Sequence, residues 1–155
     1  NPGAYFITIC TKDRRCILST VGTDVLDGPS VKLTPHGIVA DKYINQLNDF
    51  YQHISVDRYV VMPNHIHFLL CVKENIHENE QSMTRYPTNV ERANSVCSKF
   101  VSTFKRFCNK EYGENIWQAR FNDHIIRNRD DYEEHVKYIY ENPIRWYYDE
   151  LYTEE

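Results

Sequence analysis

The chain has 155 residues, 41% of them hydrophobic and 26% charged, which places it among ordinary globular proteins; its formal net charge of −4 would discourage nonspecific DNA binding if spread evenly. That length suits one domain, residues 1–155, able to bury roughly 70% of its unfolded surface. No stretch approaches the ~20 consecutive apolar residues of a membrane span, and "NPGAYFITIC" lacks the charged-then-apolar pattern of a secretion signal, so a soluble cytoplasmic protein with no membrane partner is expected. The initial Asn1 suggests that the chain starts inside a longer gene product.

"AYFITICTK" is β-rich and fits a first strand; "RRCILSTV" either extends it as a hairpin or leads away from it. A helix follows, with Thr34 as N-cap, Pro35 at the first helical position, and Ile38, Tyr43, Ile44, Leu47 and Tyr51 at helical spacing. "ISVDRYVVM" and "HIHFLLCV" are the second and third strands, joined through Met62-Pro63-Asn64 as antiparallel neighbours. After the polar loop "KENIHENEQSMTRYPT", apolar residues from Val90 to Phe107 mark a long amphipathic helix with Gly113 at its C-cap. "IWQARFNDHIIR" reads as a fourth strand, weakened by Asn122-Asp123. The order β-α-β-β-α-β predicts an α+β fold of the ferredoxin-like, split βαβ kind, with both helices on one face of an antiparallel sheet and the other face open.

An extra C-terminal helix, "DDYEEHVKYIYENP", has acids in its first turn and Pro143 as a stop. At 100° per residue, Tyr132, Val136, Ile139, Tyr140 and Pro143 share one arc, which predicts the buried face. Tyr138 falls opposite that arc, beside Asn142 one turn on and with His135 on the same flank. Because a residue before proline avoids α geometry, Asn142 is expected at the very end of the helix.

Five cysteines, Cys10, Cys16, Cys71, Cys97 and Cys108, are odd in number and form no CxxC pair. That argues against a disulfide framework or a paired-thiol zinc site and predicts reduced, mostly buried thiols. Charge is uneven: residues 99–129 hold seven Lys or Arg against three acids, while acids gather in 74–80 and in the tail. On charge alone an ordinary solvated helix face plus an acidic loop is favoured over a binding surface.

The most informative stretch is "VVMPNHIHFLL". On a strand, His65, His67 and Leu69 face one way and Ile66, Phe68 and Leu70 the other, so two imidazoles project side by side near a strand end. They are either satisfied polar residues on a half-exposed face or two ligands of a divalent cation that needs a third from elsewhere. Four residues of strand put Cys71 roughly 13 Å from His67, which removes it as that third ligand. Oxygen ligands and water would suit Mg2+ or Mn2+ engaged with a phosphate.

A hydrophobic residue between the histidines, "MPN" before them and "YIYENP" on a downstream helix together resemble the HUH single-tyrosine transposases. "MPNHIHFLL", the long "FKRF" helix, "IWQARFNDHIIR" and "DYEEHVKYIYENP" look more closely like the REP-associated tyrosine transposases, over residues 5–146. The resemblance implies that His65 and His67 bind a divalent metal, Mg2+ or Mn2+, with Asn142 as third ligand and Tyr138 as the nucleophile. It also implies cleavage of single-stranded DNA at or near hairpins, through a 5′-phosphotyrosine and a free 3′-OH, with activity at the nucleoid of a bacterial-type cytoplasm. Tyr140, two residues on, is the rival nucleophile. Lys105, Arg106, Arg120, Arg127 and His124 are the expected DNA contacts, since cations position phosphates. The termini look short by comparison, so residues that read the hairpin are expected to lie partly outside the chain. Two other readings keep the fold: a non-catalytic single-strand-binding module, and a phosphodiesterase that uses water. Monomer and homodimer stay equally open.

Overall fold

The structure, a computed structural model, describes residues 3–24, 28–73 and 89–153. The acidic segment 74–80 and most of the polar loop after it lie outside the described residues. Four strands form one antiparallel sheet in the order β4-β5-β1-β6: β1 Gly3–Cys10, β4 Ile54–Val61, β5 His65–Val72 and β6 Asn122–Ile125. With α1 Pro35–Phe50 between β1 and β4, and α2 Asn89–Tyr112 between β5 and β6, this is the split βαβ arrangement. A third helix, α3 Arg129–Glu141, follows β6. Thr34 caps α1 as expected, accepting from the Gly37 amide at 3.1 Å, and Gly113 closes α2 with φ +79°, a backbone angle that glycine adopts freely.

Strand alternation decides what lies on each side of the sheet. Ile7 and Ile9 of β1 and Ile66, Phe68 and Leu70 of β5 meet Ala40, Ile44 and Leu47 of α1 and Phe100, Val101 and Phe104 of α2 in one apolar core. Phe6, Thr8, His65 and His67 take the opposite face, and α3 packs across it over β4 and β5. The expected open face is therefore covered in part by the C-terminal helix. Three of the five cysteines are buried and all are free thiols.

One alternative left open by the sequence is decided, and two local expectations are corrected. "RRCILSTV" leads away from β1: its end forms β2, Ser19–Asp24, paired with a strand not expected from sequence, β3, Gly28–Leu33, in a separate two-stranded sheet. "IWQARFNDHIIR" is broken rather than continuous. Trp117 bridges Thr11, pairing resumes only at Asn122, and the Lys105 ammonium takes the intervening Gln118 and Arg120 carbonyls at 2.7 and 3.4 Å. On α3, Tyr140 is 79% exposed instead of buried, whereas Asn142 is 2% exposed. The side toward the sheet carries His135, Tyr138, Ile139 and Asn142, because the sheet face beneath it is itself polar. Asn142 keeps α geometry despite Pro143 (φ −56°, ψ −44°), since the chain turns on into a 3-10 turn, Trp146–Tyr148.

Candidate active site

His65 opens β5, directly after the turn in which the Met62 amide donates to the His65 carbonyl at 2.8 Å. Asn64 fixes the ring beside it. Its Nδ2 donates to the Leu151 carbonyl at 2.6 Å, so its Oδ1 accepts from His65 Nδ1–H at 2.7 Å. The proton thus sits on Nδ1 and the lone pair on Nε2. His67 lies one pleat further and pairs across to Thr8, whose Oγ1 is 2.8 Å from His67 Nδ1. The Thr8 hydroxyl can accept from Nδ1–H, and in that tautomer the second Nε2 lone pair is free as well.

Both imidazoles are almost wholly buried. Burial pushes His65 down to about 4, opposed by the Asn142 side chain, which would accept from a protonated ring. His67 is driven well below the usual histidine range by burial, then by the charges His65 and His135 would carry. Both shifts favour the neutral imidazole. Buried polar atoms are nearly always paired, yet His65 Nε2, His67 Nε2 and Asn142 Oδ1 have no hydrogen-bond partner. Two imidazole nitrogens and an amide oxygen, all buried and unpaired, are donor types that hold a divalent cation, so these residues fit the metal that the resemblance implies.

Tyr138 packs its ring edge-on against His67, centroids 5.3 Å apart, and is 39% exposed. Its phenol is pushed up by burial and by the negative charge of Asp149 and Glu150, while hydrogen bonding from Asn142 pulls it down. Phe6 lies against His67 at 4.9 Å, His135 at 4.6 Å and Tyr138 at 5.9 Å. A cleft of about 610 Å³ opens here, lined by Phe6, His67, His135, Tyr138, Lys137 and Arg145.

Residues 65, 67, 138 and 142 are thus brought together. The expected DNA contacts are not gathered with them. Arg106 is exposed on α2 and, with Lys105 and Lys110, lines a separate open groove of about 920 Å³. Lys105 is committed to backbone carbonyls, and Arg120 and Arg127 are exposed. His124 is held by Asp131, Nε2 to Oδ2 at 3.0 Å. Sequence reasoning missed Lys137 and Arg145, the cations that do line the cleft, and it missed Asp149, whose Oδ2 is 3.9 Å from His65 Nε2. The i, i+7 and i, i+8 spacings of Tyr138 to Arg145 and Lys137 to Arg145 were the available signal for the first two.

No family model matches the chain. It is 30% identical over 156 residues to a Haemophilus influenzae protein described as a "Putative REP-associated tyrosine transposase", covering 96% of this chain and 74% of that one. It is 27% identical over 143 residues to the Escherichia coli REP-associated tyrosine transposase, covering 92% and 67%. A solved structure of a REP-associated tyrosine transposase bound to a REP hairpin superimposes with a TM-score of 0.62 at 25% identity, over 92% of this chain and 67% of that one. The chain belongs to the REP-associated tyrosine transposases. That relationship supports a transposase role. Among the described residues no helix is long and apolar enough to cross a membrane.

Proposed function

We propose that the protein is a divalent-metal-dependent DNA strand transferase that nicks single-stranded DNA at or near a hairpin through a covalent tyrosyl intermediate. The observation that carries this reading is the set of three unpaired buried atoms, His65 Nε2, His67 Nε2 and Asn142 Oδ1, beside the Tyr138 ring. His65 and His67 would hold the cation as neutral nitrogen ligands, with Asn142 as an oxygen ligand. Bound there, Mg2+ or Mn2+ would supply Lewis-acid polarisation of the scissile phosphate. The hairpin as partner follows the structural relative, which is described as bound to one.

The protein's own residues account for the remainder. Lys137 and Arg145 line the cleft and are placed to position backbone phosphates, although each shares Glu141 in an exposed ion pair. Tyr138 Oη forms a bond to phosphorus as the P–O3′ bond breaks; the phenolic proton passes to solvent and the leaving 3′-oxygen is released as a hydroxyl. The ester formed is close in energy to the one broken, so a 3′-OH can reverse the step and join strands without ATP. A phenol raised above its usual pKa of ~10 is a weak nucleophile unaided, which makes the reaction depend on the cation.

The test is a hairpin-flanked single strand incubated with the protein and Mn2+, resolved on a denaturing gel. Wild-type protein is expected to give a protein-DNA adduct that Tyr138→Phe lacks and Tyr140→Phe retains. Cleavage without an adduct would mean a water-using phosphodiesterase, and binding without cleavage a single-strand-binding module; either result overturns the proposal.

A further inference from the structure

We propose that Asp149 contributes a carboxylate ligand to the same cation, from the chain segment that follows α3; the inference rests on the metal site proposed above. Asp149 stands just past the 3-10 turn Trp146–Tyr148, and its side chain is 4% exposed. Its Oδ1 accepts from the Leu151 amide at 2.8 Å, which leaves Oδ2 directed to the histidines, 3.9 Å from His65 Nε2. One ligand atom from each of His65, His67 and Asp149 lies within 4.8 Å of the others.

At 3.9 Å the carboxylate is too far from Nε2 for a hydrogen bond. That is, however, the spacing of ligands sharing an ion: two atoms each ~2.1 Å from one cation stand roughly 3 to 4.2 Å apart. Among the described residues the ion-pair partner of Asp149 is His65 alone, a ring that burial keeps neutral. A buried carboxylate facing two unpaired imidazole nitrogens, with the unpaired Asn142 Oδ1 beside His65, is a costly arrangement in the absence of a positive charge. One divalent cation satisfies all four groups.

The position is also built, not incidental. Asn64, which sets the His65 tautomer, holds the Leu151 carbonyl two residues beyond Asp149, and Trp146, 5% exposed, packs its ring 5.9 Å from that of His65. The same side chain therefore orients one ligand and anchors the segment that carries another. Two nitrogens, an amide oxygen and a carboxylate would favour a hard, oxygen-tolerant cation such as Mn2+ or Mg2+.

Mn2+ binding to the full chain, followed by calorimetry and by loss of the free-ion paramagnetic resonance signal, tests this. Asp149→Asn keeps the shape and the Leu151 contact, and is expected to weaken Mn2+ about tenfold or more at unchanged one-to-one stoichiometry. Metal-free Asp149→Asn should melt at or above the wild-type temperature, because an unpaired buried charge is gone, whereas a merely structural role would lower it. Wild-type affinity in Asp149→Asn, with binding lost in His67→Ala, would overturn the Asp149 assignment alone. Wild-type affinity in His67→Ala would overturn the metal site itself and this inference with it.

Discussion

Two histidine-and-acid clusters flank Phe6, one on each side, and their difference shows what makes a set of ligands a metal site. The first, around His65 and His67, is buried and leaves three polar atoms unpaired. The second joins His124, Asp131 and His135 and is half-exposed; here the Asp131 carboxylate takes the Arg127 amide at 2.9 Å and His124 Nε2 at 3.0 Å, and His135 Nδ1 pairs with the Asp131 carbonyl at 2.8 Å. It adds nothing to the unpaired buried atoms among the described residues. Its rings stack, centroids 4.7 Å apart, and tie the first turns of α3 to β6. Residue types are alike in the two clusters; partner accounting is not. On the function proposed above, the buried one is the cation site and the paired one a brace that sets α3, and with it Tyr138, over the sheet.

Breaking the buried cluster should do the most damage. His67→Ala is expected to lower Mn2+-dependent cleavage by about a thousandfold or more, as loss of a group holding transition-state charge typically does, measured as single-turnover rates on a hairpin-flanked strand. A smaller but distinct effect concerns pH. The folded pKa of His65 lies below its unfolded value of ~6.5, so the unfolded chain binds more protons between the two. The stabilisation is complete above pH ~6.5 and is lost as pH falls to about 4, a change on the order of 3 kcal/mol for this ring. Urea denaturation of the metal-free protein across that window should show the decline, and a flat profile would count against buried neutral imidazoles.

The brace should yield less. Asp131→Asn removes the charge that His124 and His135 share but keeps the shape, and is expected to slow cleavage by less than about tenfold with Mn2+ stoichiometry unchanged. A lost equivalent of metal would instead make the second cluster a metal site. Smallest of all is Tyr140→Phe: at 79% exposure the side chain should change stability by no more than about 0.5 kcal/mol, and the adduct should persist.

Much of the fold and the buried histidine pair were legible in the sequence, whereas the second cluster was not. The order of the sheet-forming elements, the Thr34 cap and the paired projection of His65 and His67 follow from local periodicity and turn chemistry, and the structure has all of them. What failed depended on surroundings. β3 begins with Gly28-Pro29, residues that mark turns more often than strands, and among the described residues pairs only with β2. The helical wheel of α3 assigned the apolar arc to the interior, a rule that holds against an apolar sheet face; against Thr8, His65 and His67 the polar Asn142 turned inward and Tyr140 outward. Asp149 lies beyond the Pro143 stop signal, and no periodicity connects it to β5; only the 3-10 turn folding the tail back onto Asn64 brings it there.

The most direct measurement is a crystal of the protein soaked in Mn2+, read by anomalous scattering. A peak within ~2.3 Å of His65 Nε2, His67 Nε2 and Asn142 Oδ1 is the expected result. A fully occupied peak at His124, Asp131 and His135 with none between His65 and His67 would contradict the account.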